Sequence, residues 1–577
     1  MDDAATTSAN RDHWTWVAIV VGALILRAVG IDAPSHHPDE GNIVHWVRDM
    51  LSSGSLEPAK MSYGTLTLYL QALLLWIVEH VRGMLIGNEA PVLGRRGLAV
   101  MRSVSLAASV ATVAVLPLLV RTASNPLKND SRRTRQTGHL AALFLAVSFL
   151  SVQCAHYCTV DTLLTLLTTL TVLFAIRTHR TRRFRDAAIC GVCAGLAAAT
   201  KYTGILAILP LAVGAAVCPT RAMNSEPGGT SPPRTHSAVL ATAGALSAVP
   251  AFFLAMPYAA IQPERLLEAL RYESHHYATG TTTQFAVGPD TFRWNLEFLY
   301  YTGLGPGLTL LAAFGLAWTL GEITRPSPSR AWDRCLNLLL VVYPLFLLLF
   351  LARYVVRFDR NLLPVVPFAA ILAARHAQRA WEAITRIRNR NLARVARWGW
   401  IAAISLSVVY PLSRDIVFDW QILLPHTRRE LKQWVRQLPE GTRVKQHGFK
   451  QRSLSWLQKH HYDYVVMSSH SWEPVAAHPE RYPRLARRYQ EIFKKCKPVA
   501  LFRNPWFDSD FFAPHHLLNS ATVNIYHGPT LMVLQVPPRK GAEGRQDRSP
   551  ADGPRSETTP TPTPSREEAG SRSTPEG

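Results

Sequence analysis

Residues 14–40 read WTWVAIVVGALILRAVGIDAPSHHPDE. The run from Trp14 to Ile31 is apolar and long enough to cross a bilayer. No small-residue cleavage site follows it, so it is predicted as an uncleaved first span and not a signal peptide. Directly beyond stand His36-His37-Pro38-Asp39-Glu40, which lead into an amphipathic stretch from Asn42 to Leu51. Two adjacent acids can supply a general base and a second acceptor or ligand. Pro-Asp-Glu before an apolar-periodic run is equally a good helix start. The residues alone leave both readings open.

Outward from that stretch, comparable apolar runs recur at 97–120, 138–155, 161–176, 187–200, 203–218, 237–257, 297–319, 336–352, 361–376 and 398–412. The basic loops between them decide sidedness. Loops 121–137, 177–185, 219–236, 320–335 and 374–397 carry most of the arginines between residues 14 and 412, and placing all five in the cytoplasm is self-consistent. The opposite face then presents 155–161, a hairpin at 201, 258–296, 353–360 and everything after 412. Parity keeps the further apolar run 64–86, which holds Gln71, Glu79 and His80, from being a full crossing. It is predicted as a re-entrant or surface-lying helix on the external face. The expected fold is an α-helical polytopic membrane protein with about eleven spans, external juxtamembrane helices and a C-terminal soluble α/β domain.

Composition agrees with a chain of unlike parts. Hydrophobic residues make up 48% of the 577, yet the mean hydropathy is only +0.04. Residues 1–13 are expected as a cytoplasmic N-terminus, 14–412 as the membrane domain, 413–537 as an extracytoplasmic domain, and 538–577, rich in Pro, Ser, Thr, Glu and Arg, as a disordered tail. The formal charge of +22 sits mainly in short loops between apolar runs, which argues against nucleic acid as a partner. Of the seven cysteines, five lie in apolar segments, and the spacing gives neither a disulfide framework nor a metal motif. In the soluble part, helices are predicted at 427–437 and 483–495, and strands at 463–468, 498–503, 522–527 and 531–536.

Several polar residues on the external face are not explained by span prediction. Asp161 heads an apolar helix, as a cap or as a functional acid. Lys201, in Thr200-Lys201-Tyr202-Thr203-Gly204, has no acidic neighbour in sequence and suits an anion such as phosphate, or else snorkels to the interface. Arg353, Arg357 and Arg360 break the charge rule on the non-cytoplasmic side and ask for an anionic partner. The stretch from Pro263 to His276 alternates like an amphipathic helix. His37, Asp39 and Glu40 are a conceivable divalent-metal set, although ligands this close in sequence make a poor tetrahedron.

In this order the pieces resemble the C-class membrane glycosyltransferases that use polyprenyl-phosphate sugars, in particular the protein O-mannosyltransferases and the lipid A aminoarabinose transferases. The resemblance spans roughly 14–540. It rests on Pro38-Asp39-Glu40, Tyr63-Gly64-Thr65 with Leu68-Tyr69-Leu70, His156 with Asp161, Gly195-Leu196 with Thr200 to Gly204, and Arg360-Asn361-Leu362-Leu363-Pro364. It implies an inverting transfer to a hydroxyl acceptor, with Asp39 as general base, Glu40 beside it and Asp161 as the second acid. Lys201 would bind the donor phosphate, with Arg357, Arg360, His275 and His276 as further candidates. Lys60, Tyr63, His156 and Tyr202 would line the substrate cavity. No cofactor is required by this chemistry, the divalent cation being the alternative. The partners implied are a polyprenyl-phosphate-linked sugar, a protein, lipid or glycan acceptor, and the bilayer, with the active site on the outer face of a plasma membrane. The sequence departs from both branches. Lys60-Met61-Ser62-Tyr63 lacks the Pro pair of the aminoarabinose branch, and the luminal repeat domain of eukaryotic O-mannosyltransferases is missing.

Two other function classes remain. A secondary transporter or lipid flippase would account for the spans, but internal repeats with paired broken helices are not visible. A non-catalytic assembly subunit would leave Asp39, Asp161 and Lys201 without a purpose.

Overall fold

The computed structural model describes residues 2–33, 37–87, 91–92, 94–125, 131–219, 234–280, 285, 290–325, 330–446, 452–503, 511–518 and 528–538. Helix α1 (Asp2–Ala28) carries the first predicted span. Arg27 near its end is fully buried, a cost that only a saturated guanidinium can offset. Its nitrogens donate to Ser109 Oγ at 2.8 Å, Ala146 O at 3.0 Å and Ser151 Oγ at 3.0 Å. The amphipathic stretch folds as α2 (Glu40–Ser53), with Ile43, Val47 and Met50 on its buried face, and ends at Gly54, where φ is +64°. Those residues meet Leu68, Ala72 and Leu75 of α3 (Leu66–Ile86).

Helix α3 is one unbroken helix of 21 residues, so it has no re-entrant break. By length and apolarity it suffices to cross a membrane, and Trp76, Met84, Leu85 and Ile86 are exposed along it. Helix α4 (Gly94–Thr122) follows, then α5 (Ser131–Ala146) and α6 (Phe149–Ala155), a pair bent by 59°. Helix α7 (Asp161–Thr181) is rich in threonine, yet none of its residues is exposed. The hydroxyls of Thr165, Thr169, Thr171 and Thr178 each donate to the carbonyl four residues back, so no hydroxyl among these four is left unsatisfied.

Helix α8 (Phe184–Ala198) ends at the hairpin that holds Lys201, after which a 3-10 turn (Tyr202–Ile208) leads into α9 (Leu209–Val217). The next helix, α10 (Arg234–Ala255), crosses α8 with almost no gap. A Cβ at Gly191 would collide with the Gly244 carbonyl, and one at Gly195 with the Ala248 carbonyl. Small residues at such a crossing let two backbones touch, which is what holds helices together where the surroundings are as apolar as the side chains. Short α11 (Tyr258–Ile261) and amphipathic α12 (Pro263–Thr279) cover the expected external loop.

Helix α13 (Thr291–Phe298) passes through a π turn (Leu299–Gly303) before α14 (Pro306–Thr324) and α15 (Ala331–Ala352). A 3-10 turn (Asp359–Val365) then enters α16 (Val366–Thr385), and α17 (Arg390–Leu423) closes the bundle. Helix α17 runs for 34 residues, well past residue 412 where the last span was expected to stop. Seven helices among the described residues are long and apolar enough to cross a membrane, α3 among them, and the bent α5–α6 pair makes an eighth. Four predicted spans are present as helices of a different make. Charged side chains interrupt α1 and α16, α8 is only 15 residues long, and α9 starts from a 3-10 turn. The cysteine expectation is corrected too. Cys218 and Cys335 form a disulfide with Cα atoms 5.3 Å apart across 117 residues of chain, a pairing that linear spacing does not reveal.

Past α17 come α18 (Thr427–Arg436), β1 (Val444–Lys445), α19 (Leu454–Lys459), β2 (Tyr464–Ser468), α20 (Ser469–Ala477), α21 (Pro483–Lys495), β3 (Lys497–Phe502) and β4 (Leu531–Gln535). The sheet order is β1-β2-β4-β3, with β1 parallel to β2 and the other pairs antiparallel. Alternation along β2 and β4 sends Val465 and Leu534 to the face covered by Leu457 and Ile492, and Val466 and Val533 to the face covered by Leu431 of α18. The predicted strand 522–527 lies outside the described residues. Residues 511–518 return to the helical bundle. Trp294 Nε1 donates to Leu517 O at 3.2 Å, Thr302 Oγ1 donates to Phe512 O at 2.7 Å, and Phe512 packs beside Phe149 and Phe418.

Candidate functional site

The first question left by the sequence was whether Asp39 and Asp161 are helix caps. Asp39 does occupy the N-cap position of α2, but its side chain makes no capping hydrogen bond. Val160 is the N-cap residue of α7, and Asp161 likewise turns its carboxylate elsewhere. Both acids point to a common cradle. Arg360 Nη2 lies 3.0 Å from Asp39 Oδ2, and Arg360 Nε lies 3.7 Å from Asp161 Oδ2. Lys201 Nζ lies 2.9 Å from Asp161 Oδ1 and 2.7 Å from Asn361 Oδ1. Four charges, two of each sign, thus alternate from Asp39 through Arg360 and Asp161 to Lys201. Their helices come from distant parts of the chain, and Lys201 finds its acidic partner 40 residues upstream.

Local structure fixes each member. The α8 turn delivers Lys201, whose backbone N–H donates to Ala197 O at 2.9 Å. The 3-10 turn at 359–365 buries Arg360 and stacks its guanidinium over the Phe358 ring at 4.3 Å. Asp359 holds that turn from below, accepting from the Arg360 N–H at 2.8 Å and from Gln153 Nε2 at 3.1 Å. Tyr63 donates to Asp39 Oδ2 at 3.1 Å. Gly64 is needed there, since a Cβ would collide with the Ala199 carbonyl.

Electrostatics follows from the geometry. Burial alone would push the Asp39 carboxyl up, but Arg360, then His37 and the Tyr63 hydroxyl, outweigh it and hold Asp39 below the usual carboxylate range. Burial pushes the His37 imidazole down to about 4, aided by Arg360, so it is neutral at pH 7. Burial would lower the Lys201 ammonium, but Asp161 more than reverses it, and Lys201 is held above its ordinary value.

Beside the cradle opens a cavity of about 310 Å³. It is lined by polar side chains, Ser62, Tyr63, Lys201, Glu273, Tyr277 and Asn361, and by apolar ones such as Leu206, Leu347 and Phe350. Lys201 and Tyr63 therefore belong to the cradle and the cavity wall at once. Tyr202 also lines the cavity, and its hydroxyl donates to Met61 O at 2.5 Å.

Other predicted residues are placed elsewhere. Glu40 is fully buried and turned away from Asp39. Its oxygens accept from Arg102 Nε at 2.7 Å, Arg102 Nη2 at 2.8 Å and the Cys158 N–H at 2.9 Å. Burial would raise the Glu40 carboxyl, but Arg102 outweighs it and keeps Glu40 ionised. This is a structural ion pair, not a second acid in the cavity. It also takes Glu40 out of the conceivable metal set with His37 and Asp39, and among the described residues no group of three His, Cys, Asp or Glu side chains could hold a metal ion. His156 is buried under α17, its ring nitrogens 2.8 Å from Val152 O and 3.0 Å from Val29 O, and 3.3 Å from Asp419, so it does not line the cavity. Lys60 is exposed and outside the cavity wall. Arg357 donates to Phe285 O at 2.7 Å, away from Lys201. His275 is exposed, and His276 stacks against Tyr272 and approaches Phe358, one ring removed from Arg360.

Sequence reasoning missed Arg102 altogether, and singled out Asn361, Glu273 and Tyr277 as polar residues of the external face without giving them a place in the site. Arg102 had a signal available, being a charge inside the apolar run 97–120, where a charge survives only with a partner.

The bundle and its long apolar helices make a multi-pass helical membrane protein that resembles the C-class membrane glycosyltransferases. Residues 91–229 match the family model described as "Dolichyl-phosphate-mannose-protein mannosyltransferase". No curated protein matches the chain. Among solved structures, ArnT from Cupriavidus metallidurans bound to undecaprenyl phosphate is similar at 14% identity and a TM-score of 0.44, covering 90% of this chain and 97% of its own. The archaeal oligosaccharyltransferase AglB from Archaeoglobus fulgidus, in complex with an inhibitory peptide and a dolichol-phosphate, is similar at 11% identity and a TM-score of 0.49, covering 85% and 73%.

Proposed function

We propose that this protein is an inverting glycosyltransferase that moves a sugar from a polyprenyl-phosphate carrier to a hydroxyl acceptor on the extracytoplasmic face of the membrane. The observation that carries the reading is the cradle itself. A carboxylate and two cations stand within one network, and Lys201 of that network lines a largely apolar cavity. That is the charge pattern a displacement at a glycosyl phosphate needs.

In the proposed step, the acceptor oxygen attacks the anomeric carbon as its proton passes to Asp39. The bond between that carbon and the phosphate oxygen breaks, and its electron pair leaves with the polyprenyl phosphate. Attack and departure on opposite faces invert the anomeric centre. Lys201 and Arg360 stabilise the leaving phosphate, and fixed charges in a dry site are worth more than the same charges in water. Asp161 positions both cations. The apolar side chains of the cavity, Leu206, Leu347 and Phe350 among them, take the first isoprene units.

In this proposal residues 14–412 form the membrane domain and 413–537 the extracytoplasmic domain, with α3 lying on the outer surface as the charge parity of the loops requires. Arg357, His275 and Lys60 have no role in the step, and Glu40 acts by holding α2.

The test uses membrane vesicles containing the full chain, supplied with radiolabelled polyprenyl-phosphate-mannose, -glucose or -arabinose. Label should pass from the carrier to a second product, and Asp39→Asn at equal membrane abundance should lower the rate by about 10²-fold or more. Undiminished transfer by Asp39→Asn would remove Asp39 from the role of base.

A further inference from the structure

Ser62 and Tyr63 line the same cavity wall. The Tyr63 hydroxyl donates to Asp39. Glu273 reaches that cavity from α12. No basic side chain lies within ion-pair distance of Glu273 among the described residues, in contrast to Asp39 and Asp161. Glu273 is thus a half-buried acid in a cavity wall whose neutralising cations are spent on other acids. Burial pushes its carboxyl up from the usual range, with Ser62 and the more distant Lys201 and Arg360 acting the other way.

Such a group is costly to keep unless something in the cavity uses its lone pairs. The two cations already assigned to the phosphate lie near enough for their fields to reach Glu273, so an added ammonium would enter against them. Hydroxyl groups carry no such penalty. Around Glu273 stand Tyr63, Tyr202 and Tyr277, whose rings and hydroxyls suit the apolar face and polar rim of a pyranose or furanose.

We propose that Glu273 is the sugar-recognition residue, its carboxylate accepting hydrogen bonds from adjacent hydroxyls of a neutral sugar on the donor. This rests on the glycosyltransferase reading above. Glu273 contributes to which sugar is carried into the site and takes no part in the proton transfer.

The experiment compares the binding of polyprenyl monophosphate and of polyprenyl-phosphate-mannose, -glucose and -arabinose by the purified full-length protein in detergent. Wild-type protein should bind at least one of the glycosylated lipids about tenfold or more tightly than the bare phosphate lipid. Glu273→Ala should erase that difference without lowering affinity for polyprenyl monophosphate. Glu273→Gln, which keeps the shape and one acceptor, should retain part of it. Equal losses for both kinds of lipid, or an undiminished preference in Glu273→Ala, would overturn the assignment. Wild-type protein that binds none of these lipids would instead overturn the glycosyltransferase reading, and the inference with it.

Discussion

Arg360 Nη2 donates to Asp39 Oδ2 at 3.0 Å, on the carboxylate oxygen that also accepts from Tyr63. A carboxylate held this way is ionised but a weak base, because Arg360 stabilises the form without a proton. Donor phosphate competes for the same guanidinium, so its arrival would loosen Asp39 and make it more basic at the moment of need. Asp39 sits below its ordinary pKa in this state, so the acidic limb of the activity profile belongs below the usual carboxylate range. Replacing Arg360 by Gln removes the largest opposition to the upward push of burial. The limb should then move to higher pH, along with a loss of rate. A pH–rate series on both proteins checks this, and a limb that stays in place would separate Asp39 from the rate.

Glu40 and Arg102 predict an effect on stability. Breaking a fully buried ion pair by removing one partner strands the other, at about 3–5 kcal/mol. Glu40→Gln should therefore lower the thermal midpoint in detergent, with transfer falling only as folded protein is lost. The pH dependence has a definite sign. The folded pKa of Glu40 is depressed, so its stabilisation is fully present above the ordinary carboxylate range and is lost as pH falls through the folded value. The variant should show a weaker acid dependence of melting than the wild type.

The fold and the site were legible to different degrees. Periodicity found α2, α12, α18 and α21 because each buries one stripe, and the signal lies within the helix itself. The span count was harder. Alpha-16 carries Arg375 and Arg379, and those charges lower its hydropathy although both find partners, in Asn337 and Glu322. For the site, Asp39, Asp161, Lys201 and Arg360 each stood out as a polar group on an apolar background. The fate of Glu40 could not be read in the same way. Adjacent side chains on a helix point about 100° apart, so Asp39 and Glu40 were bound to face different neighbours. That Glu40 is the one drawn into the interior depended on Arg102, 62 residues away. Glu273 was hidden for a similar reason. It sits on a helix whose amphipathic pattern marks a surface, and only tertiary packing turns that face toward Ser62.

Lys201 yields a third expectation. Its ammonium holds Asp161 and Asn361 now, and in the proposed state it would hold phosphate. Lys201→Ala should weaken binding of polyprenyl monophosphate by about tenfold to a hundredfold, the range for a hydrogen bond to a charged group. Lys201→Arg should restore part of it. Isothermal or fluorescence titration with the bare phosphate lipid reads this without any acceptor. Unchanged affinity in Lys201→Ala would move the phosphate elsewhere.

The α8–α10 crossing predicts a packing defect remote from the cradle. Gly191→Leu places a branched side chain against the Gly244 carbonyl, and overpacking of this kind costs about 1–3 kcal/mol. The measurement is the melting midpoint in detergent beside Gly22→Leu, where nothing lies within 4 Å of the added carbon. Equal midpoints for the two variants would show that the helices can part freely.

Helix α17 is long for a membrane helix. Its 34 residues extend about 51 Å at 1.5 Å per residue, against about 30 Å of hydrocarbon. The surplus makes it a ruler as well as a span. It sets the height and the angular phase at which α18 and the sheet begin, while residues 511–518 tie the later chain back to Trp294 and Thr302. One residue inserted beyond position 412 would turn everything after it by about 100° and lift it by about 1.5 Å. The return tie could not follow such a screw motion, so the length of this helix is set by two attachments and is not free to drift.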